Sequence, residues 1–200
     1  MEQRRNEILE AARAVVLERG LANTRVADVA DALNVSTGLI HYHFASKDEL
    51  FAETLRHAAA TDIHRLEKSV ASSADPVERL DRVLREYLPS PRGDQTWQLW
   101  IDTWSAGLRN SVLRDISEEL DEAWVRVLQG VIEAGVDAGA FTCPDPRASA
   151  WRLSSLLDGL GLQVVVHRKT MRRSQMLEHA RIAAAHEVGL DRSDFPTTGR

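Results

Sequence analysis

The stretch TRVADVADALNVSTGLIHYHFASKDEL, which runs from Thr24 to Leu50, decides the fold of the N-terminal part of the chain. Its first apolar residues recur at the spacing of an amphipathic helix: Val26, Val29, Ala30 and Leu33. Thr24 stands where a helix N-cap belongs. Asn34 tolerates a left-handed backbone and marks the end of the helix. The sequence therefore predicts a short buried helix that is followed directly by a turn.

A second short helix is predicted after the turn, with Ser36 as its N-cap. Three of its apolar residues face inward, namely Leu39, Ile40 and Phe44. The remaining residues are left on or near the outer side: Thr37, Gly38, His41, Tyr42 and His43. Two helices joined by a short turn, of which the second presents small polar and aromatic side chains, form the helix-turn-helix plan for entry into the major groove of DNA.

The next helix opens with Ser46-Lys47-Asp48-Glu49, an S-x-x-E capping box. In such a box the Ser oxygen and the Glu carboxylate satisfy backbone donors at the start of the helix. Lys47 therefore lies at a positive helix end, beside free N–H groups, where a DNA phosphate could be held.

The run V-S-x-G-x-I-x-x-H-F-x-x-K-x-x-L, from Val35 to Leu50, resembles the DNA-binding signature of the TetR family of one-component transcriptional repressors. The resemblance implies that Ser36 to His43 is the recognition helix, braced by the helix that Thr24 opens, and that Tyr42 and Lys47 contact phosphates. Many family members carry Tyr where this chain has His41, so the resemblance does not say whether His41 contacts a base or a phosphate. The predicted DNA-binding residues are Thr24, Arg25, Ser36, Thr37, Gly38, His41, Tyr42, His43 and Lys47.

Short helix-turn-helix pieces also occur in all-helical proteins that do not bind DNA, and charge does not decide between the two interpretations. Residues 1 to 50 contain six basic and eight acidic side chains, which leaves a net charge of −2. This is not the basic footprint of a domain held on DNA by electrostatics alone. Binding would depend on a few well-placed cations and helix termini, doubled by a dimer.

The whole chain of 200 residues has a net charge of −5 and a hydrophobic fraction of 44%. These values are typical of a globular protein, and they argue against a general polyanion binder or a membrane-surface protein. The single cysteine, Cys143, excludes an internal disulfide and suits a reducing compartment. The sequence contains neither an apolar signal region nor a stretch that approaches a membrane span. We expect a cytoplasmic protein.

Helical periodicity continues through the rest of the chain, without strand alternation of useful length. We predict an all-α protein of about nine helices. The expected domains are a helix-turn-helix domain at 1–46, a connecting helix at 47–71, a ligand-binding and dimerisation domain at 72–188, and a loose tail at 189–200. The connecting helix is long enough to enter two cores, which would make it the mechanical link between ligand and DNA.

Aromatic residues are concentrated in the segment TWQLWIDTWSAGL, where three tryptophans share one helical face. Such a face is either packed core or the wall of a pocket, because ligand sites are concave, largely apolar and aromatic. The helix opened by Asp145-Pro146 has two apolar faces, and Asp158 lies on the same face as Trp151. The candidate ligand residues are Trp97, Trp100, Trp104, Trp124, Trp151 and Asp158.

A carboxylate at Asp158 would be withdrawn from water and would need a partner. The partner is either internal, from Arg152, Arg168 or a hydroxyl group, or it is a cationic ligand held with the help of Trp faces. The Trp-rich segment and the Asp158-Gly159-Leu160 step resemble the branch of the family that includes choline-responsive repressors. This resemblance favours an organic amine such as choline or a polyamine. A hydrophobic acid, an acyl thioester or a drug-like ligand is the alternative.

The leading interpretation is a homodimeric repressor that binds a palindromic double-stranded DNA operator and is released from it by a small-molecule effector. In the TetR family the last two helices form a four-helix dimer interface, and the resemblance implies the same here. The alternatives are an all-helical enzyme or carrier that uses the Trp pocket, and a protein-interaction module. The sequence has no nucleophile paired with a base, no metal-ligand spacing and no cofactor loop, so we predict no enzyme, no cofactor and no metal site.

Overall fold

The computed structural model describes residues 2–89, 94–167, 169 and 171–197. Every regular element within these ranges is a helix, which confirms the all-α prediction. None of the helices described there is long and apolar enough to cross a membrane. The described elements are α1 (Glu2–Arg19), α2 (Val26–Ala32), α3 (Thr37–His43), α4 (Lys47–Ala71), α5 (Pro76–Tyr87), α6 (Asp94–Gly107), α7 (Ser111–Asp137), α8 (Pro146–Val166), α9 (Arg173–Val188) and the 3-10 helix Arg192–Asp194.

The chain forms two compact units, each built from two separate segments. Unit 1 comprises Met1–Asp62 and Gln98–Leu120, and unit 2 comprises Ile63–Trp97 and Asp121–Arg200. The chain passes from one unit to the other inside α4, α6 and α7. Packing therefore divides the chain at other positions than the functional division predicted at residues 46 and 71, because these helices contribute to two cores.

Unit 1 has its own hydrophobic core, to which α1 to α4 and parts of α6 and α7 contribute. The apolar stripe of α1 is buried as a whole: Ile8, Leu9, Ala12, Val15 and Val16. Gly20 follows α1 with φ of +79°, the left-handed conformation expected of a glycine at a helix end. Phe44 and Phe51 are each 1% exposed in this core. Apolar packing therefore holds α3 and the start of α4 from their inner sides.

The start of α2 differs from the prediction. Thr24 is fully buried, and its Oγ1 donates a hydrogen bond to the carbonyl of Gly20 at 2.9 Å. The N-cap is Arg25, whose backbone N–H donates to Asp28 Oδ2 at 2.7 Å. Thr24 is not the cap because the preceding turn uses its hydroxyl. Asn34, in contrast, has the predicted left-handed backbone, with φ of 53°.

Unit 2 has its core among α5, α8 and α9, with the second parts of α4 and α7 packed into it. The predicted start of α8 is present, because Asp145 caps the helix with Pro146 in its first turn. Asp75 caps α5 in the same way, with Pro76 in the first turn. These starts are encoded locally, because an acid and a proline in succession suit the first turn of a helix.

A buried ion pair joins α5 to α9 inside this core. Arg181 donates from Nε to Asp81 Oδ1 at 2.7 Å, and the two side chains are 3% and 0% exposed. Arg85, one turn further along α5, also binds the carboxylate of Asp81. Removal of one partner from such a buried pair would leave an uncompensated charge, so the pair ties α5 to α9.

The segment after α9 differs from the predicted loose tail. Phe195 is 1% exposed and belongs to the core of unit 2. Arg192 ties the segment to α9, with its Nη2 at 2.6 Å from Glu178 Oε2. The predicted tail has only two large apolar residues, Leu190 and Phe195, which are too few to show a periodicity, so the sequence pattern did not indicate this packing. Residues 198–200 lie outside the described residues.

Candidate DNA-binding surface and ligand site

The predicted recognition helix is α3, which is seven residues long. Ser36 caps it as predicted, because its Oγ accepts a hydrogen bond from the N–H of Leu39 at 3.3 Å. Ile40 and Phe44 are each 1% exposed and anchor the inner side of the helix in the core of unit 1. This apolar anchor leaves the outer side of α3 to solvent.

Most of the predicted DNA-binding residues are accessible on this outer side or close to it. The exposed ones are Arg25, Ser36, Thr37, Gly38, His41 and Tyr42, while His43 and Lys47 are partly buried. Tyr42 is 72% exposed, and its ring meets the ring of His43 edge-on at a centroid distance of 5.2 Å. Thr24 is the exception, because a fully buried side chain offers no surface to DNA.

Gly38 lies in the first turn of α3, and its lack of a side chain permits close approach of a partner. A Cβ built at this position would meet only Ser36 Oγ, at 3.6 Å, which is ordinary contact. Packing within the chain therefore does not require a glycine at this position. The small size of Gly38 leaves space on the solvent side of α3.

Lys47 is the first residue of α4, and the predicted capping box forms around it with one difference. The N–H of Glu49 donates to Ser46 Oγ at 3.0 Å, as expected. The Glu49 carboxylate accepts from the N–H of Ala45 at 2.7 Å, one residue before the cap itself. Lys47 Nζ lies 5.2 Å from the centroid of the Phe51 ring. A cation is thus held at a positive helix end directly after α3.

A second set of polar residues lies inside unit 2, between α5 and α8. The Tyr87 hydroxyl donates to Asp158 Oδ1 at 2.9 Å and lies 2.9 Å from Ser154 Oγ. Trp124 packs edge-on against Tyr87, with ring centroids 5.3 Å apart. Trp97 donates from Nε1 to the backbone carbonyl of Tyr87 at 3.3 Å. We call these five residues the Tyr87 cluster.

The carboxyl group of this cluster is strongly affected by its surroundings. Burial raises the pKa of Asp158 to about 6, the hydrogen bond from Tyr87 opposes the rise, and the negative charge of Asp121 adds to it. Burial also raises the pKa of Tyr87 well above its ordinary value, so Tyr87 stays a hydrogen-bond donor. In the part of the chain that the structure describes, Asp158 has no Arg, Lys or His as an ion-pair partner. Above about pH 6 the cluster therefore holds a partly buried negative charge.

The internal partner of Asp158 is a hydroxyl group, one of the alternatives that the sequence left open. A second alternative, Arg152, is engaged elsewhere, because its Nη2 lies 2.5 Å from Glu187 Oε2. The third alternative, Arg168, lies outside the described residues. A hydroxyl satisfies one oxygen of the carboxylate but does not neutralise it, so the buried charge remains.

The structure separates the tryptophans that the sequence placed on one face. Trp100 and Trp104 belong to unit 1, where Trp100 packs against the hydrophobic core, and the other three tryptophans belong to unit 2. Trp151 is 42% exposed and is therefore not the wall of an enclosed site in this chain. The Tyr87 cluster brings together three of the six predicted ligand residues: Trp97, Trp124 and Asp158.

Trp97 reaches the cluster because α8 has a glycine beneath its ring. A Cβ at Gly161 would lie 2.0 Å from Cη2 of Trp97, so a side chain at this position cannot coexist with the indole as it is placed. The indole is 7% exposed. Trp97 is thus a core residue of unit 2 that also fixes the backbone of Tyr87.

Two residues of the cluster, Tyr87 and Ser154, are absent from the sequence prediction. The apolar stripe of α5 includes Tyr87 and hides its hydroxyl, and Ser154 counts in the pattern only as a small residue. A signal was present, because a hydroxyl on an inward stripe needs a hydrogen-bond partner once it is buried. Which partner it meets depends on how α5 packs on α8, and periodicity does not carry that information.

The fold and the two sites define a class of protein. Unit 1 presents a short capped helix with polar and aromatic residues on its outer side, and unit 2 holds a carboxylate among aromatic rings. The short helix that follows a buried helix and a tight turn is typical of helix-turn-helix regulators of transcription. Residues 8–54 match the family of bacterial regulatory proteins called the tetR family, and residues 76–189 match the C-terminal domain of the BetI-type transcriptional repressor. The chain belongs to the TetR family of transcriptional repressors.

Individual relatives agree with this assignment. The HTH-type transcriptional repressor KstR2 of Mycobacterium tuberculosis is 33% identical over 136 residues, which are 66% of this chain and 68% of that protein. The HTH-type transcriptional regulator BetI of Burkholderia ambifaria is 30% identical over 168 residues, 81% of this chain and 82% of that protein. A transcriptional regulator from Saccharomonospora viridis, solved in complex with choline, is 31% identical with a TM-score of 0.82 over 94% of this chain and 98% of its own.

These matches confirm the predicted family and the predicted class of activity. Both matching families and the relatives named above are transcriptional regulators. The chain is therefore a regulator and not an enzyme. Among the residues that the structure describes, no cluster of three His, Cys, Asp or Glu side chains could hold a metal ion.

Proposed function

We propose that this repressor acts as a homodimer that binds a palindromic operator with two copies of α3 and is released from it by an organic amine. The observation that carries the DNA part is the exposed outer side of α3, anchored from behind by Ile40 and Phe44. In dimers of this class the two recognition helices enter successive major grooves about 34 to 36 Å apart. Because operators lie in the cytoplasm of bacterial cells, this function would place the protein there.

We assign base reading to Thr37 and His41, with Gly38 allowing close approach, and phosphate contacts to Tyr42 and Lys47. Thr37 and His41 are exposed on α3, where groove edges would be reached. Lys47 combines its own charge with a positive helix end, which suits a phosphate. We expect the flanking residues to add backbone contacts: Arg25, Ser36 and His43. Thr24 is excluded from this surface by its burial.

We assign the dimer interface to the outer surfaces of α8 and α9. Trp151 on α8 is 42% exposed and Ile182 on α9 is 50% exposed. A groove of about 580 Å³ lies on the same two helices and is lined mainly by Leu156, Leu160, Met171, Ile182 and Ala183. Exposed apolar surface next to an apolar groove is typical of protein–protein interfaces. Replacing Ile182 by Glu should convert the dimer to a monomer in sedimentation or light scattering, whereas an unchanged mass would exclude this interface.

The Tyr87 cluster supports an organic amine as the effector. Asp158 is charged above about pH 6 and, among the described residues, has no cation beside it. Trp124 and Tyr87 supply aromatic surface, which attracts quaternary and protonated amines by about 1 to 2 kcal/mol when the site is desolvated. The BetI-type C-terminal match and the choline bound to the Saccharomonospora viridis relative point to the same chemistry. For this chain the amine remains a proposal.

Release from DNA requires that the ligand bind the non-DNA conformation better than the DNA-bound one. Helix α4 is the element suited to link the two events, since its first part contributes to the core of unit 1 and Leu66 to the core of unit 2. A change in the position of α4 would alter the separation of the two recognition helices and weaken operator binding.

The DNA part is tested by selecting bound fragments from a random double-stranded pool with the purified protein, followed by the mass of the complex. We expect a single palindrome, occupied by one or two dimers. Recovery of no preferred sequence in low salt and without added ligand would exclude the repressor proposal. Binding of the unselected random pool, measured at the same salt concentration, is the control for non-specific binding.

The ligand part is tested by calorimetry with choline, with spermidine as a polyamine, and with 3,3-dimethylbutan-1-ol, the uncharged isostere of choline. We expect one of the two amines to bind the wild-type protein and to lose binding in Asp158→Asn. The uncharged isostere should bind both proteins equally and weakly, because it lacks the charge that Asp158 would hold. Stearoyl-CoA is included as an acyl thioester. If it binds and neither amine does, the effector is a hydrophobic acid derivative and not an amine.

A further inference from the structure

The C-terminal end of α4 is held by arginines of α5. Arg82 donates from Nη1 to the carbonyl of Ser69 at 2.5 Å and also hydrogen-bonds Ser72 Oγ. Arg79 donates from Nε to the carbonyl of Ser73 at 2.7 Å. The last carbonyls of a helix have no partner inside it, and cations stabilise that end. The N–H groups of Ser72 and Ser73 also bind the carbonyls of Ser69 and Val70, so helix α5 adds side-chain donors to a local C-terminal cap.

Arg82 has a defined orientation in this contact. Glu78, one turn earlier on α5, accepts from Arg82 Nε at 2.9 Å. The side chain of Arg82 is 26% exposed, so much of it is removed from water. The planar guanidinium keeps its donors in a fixed arrangement. A displacement of α5 must therefore move the end of α4 with it or break these hydrogen bonds.

The same helix carries Tyr87, which contacts Asp158 and Ser154 on α8. Helix α5 has only twelve residues. Arg82 and Tyr87 are separated by about 7 to 8 Å along the axis, at 1.5 Å per residue. The residue that contacts the candidate ligand site and the residue that caps α4 therefore lie within two turns of one short helix.

We propose that Arg82 couples the Tyr87 cluster to the C-terminal end of α4. A ligand that binds beside Asp158 and displaces Tyr87 shifts α5, and Arg82 transmits this shift to α4. The ligand step rests on the proposed function, whereas the coupling itself is a property of the free protein. Arg82 is a positioning residue, since its role requires no contact with ligand or DNA.

The competing explanation is that Arg82 caps α4 and does nothing else. Such a cap would stabilise the end of α4 by the same amount whatever the state of Tyr87. The two explanations differ in whether the end of α4 responds to a change at Tyr87, and in whether that response requires Arg82.

The test is a double-mutant cycle between Tyr87→Phe and Arg82→Gln in the free full-length protein, read by amide hydrogen exchange at residues 69–73. Tyr87→Phe removes the hydroxyl that binds Asp158 but keeps the ring that packs on Trp124. We expect Tyr87→Phe to change exchange at the end of α4 by about threefold or more when Arg82 is present, and by less than about 1.5-fold when Arg82→Gln is combined with it.

Arg192→Gln is the matched control. Arg192 is 24% exposed, pairs with Glu178 and donates to the carbonyl of Phe195 at 3.1 Å, so it resembles Arg82 in burial and partners but does not bind α4. The response of α4 to Tyr87→Phe should persist in Arg192→Gln. Arg82→Lys retains the charge without the planar fork and should give an intermediate response, which covers the case that Arg82→Gln does not fold.

Two results overturn the proposal: no response of residues 69–73 to Tyr87→Phe, or an equal response with and without Arg82. Neither result needs an operator or a ligand, so failure here is distinguishable from failure of the proposed function.

Once an operator is selected, Arg82→Gln should still bind choline with wild-type affinity. Choline should then weaken operator binding of this variant by less than about twofold. The proposal would also be overturned if choline released Arg82→Gln from the operator as strongly as it releases the wild type.

Discussion

Helix α3 and the Tyr87 cluster are both proposed to hold polar side chains for a partner, but their environments are opposite. On α3 the groups proposed to contact DNA lie in water, and the apolar residues Ile40 and Phe44 behind them contribute stability. In the Tyr87 cluster the carboxylate of Asp158 is partly buried, with its pKa raised to about 6 by burial. An exposed site costs little folding free energy, whereas a desolvated charge costs a measurable amount. The two sites should therefore respond to different perturbations.

The largest expected effect comes from filling the space beside the cluster. Gly161→Ala places a Cβ 2.0 Å from the indole of Trp97, so the ring must leave its position. We expect a loss of about 3 kcal/mol in the free energy of unfolding, since overpacking of a core is costly. Gly130→Ala on α7 is the control, because a Cβ there meets nothing within 4 Å. It should stabilise the helix by up to about 1 kcal/mol. Equal melting temperatures for the two variants would contradict this packing.

The second prediction concerns the cost of the buried carboxylate. The pKa of Asp158 is higher in the folded protein, about 6, than the ordinary value of 3.8. The folded state therefore holds this proton more tightly. The stabilisation that comes from the protonated Asp158 carboxyl group is present below about pH 4 and is lost as the pH rises through about 6. Each pKa unit corresponds to about 1.4 kcal/mol, so the loss is about 3 kcal/mol in total.

Asp158→Asn removes this titration and still accepts a hydrogen bond from Tyr87. Denaturant unfolding should therefore show the variant gaining up to about 3 kcal/mol over the wild type between pH 4 and pH 7.5. The same variant should lose amine binding, which in the wild type should weaken as the pH falls below about 6. A stability difference that does not vary with pH would show that Asp158 is not desolvated.

The third prediction separates base reading from phosphate contact on α3. Thr37→Ala should change the preferred operator, with a loss of about 1 to 3 kcal/mol that depends on the base pair opposite it. Lys47→Gln should weaken binding to all sequences alike and reduce the salt dependence by about one ion per subunit. The measurement is operator affinity across a set of single-base variants at several salt concentrations. An equal loss on every variant for Thr37→Ala would contradict its assignment.

The smallest expected effect is at the start of α4. Ser46→Ala removes the oxygen that accepts from the N–H of Glu49 at 3.0 Å. We expect a loss of about 1 kcal/mol in stability, the usual value of an N-cap. Ser105→Ala, at an exposed position inside α6, is the control and should be neutral or slightly stabilising. If both variants behave alike in thermal unfolding, the cap contributes nothing to α4.

The sequence predicted the DNA-binding half better than the ligand half, and the reason lies in the range of the interactions. The cap at Ser36, the left-handed turn at Asn34 and the capping box at Ser46 each depend on residues within four positions of one another. The Tyr87 cluster instead joins residues that are 67 and 71 positions apart. No local pattern reports such a pairing, although Asp158 was recognisable as a carboxylate on a largely apolar face.

The failures of prediction follow the same rule. Thr24 has the composition of an N-cap, but the carbonyl of Gly20 in the preceding turn takes its hydroxyl. Trp97, Trp100 and Trp104 share a helical face, but the boundary between the two units falls after Trp97. Phe195 lies in a largely polar tail, yet it packs into the core of unit 2. In each case the residue type suggested a role, but the sequence pattern did not show which residues it contacts in the folded protein.

Local sequence was sufficient to identify the helical fold, several of the helix caps and the family to which the chain belongs, although the start of α2 was an exception. These properties arise from propensity, capping and periodicity, which act over a few residues. Only the tertiary structure decided which polar groups meet in the interior: Tyr87 with Asp158, Asp81 with Arg181, and Arg82 with the end of α4. Such contacts depend on how helices pack, because burial selects partners by distance in space and not by distance along the chain.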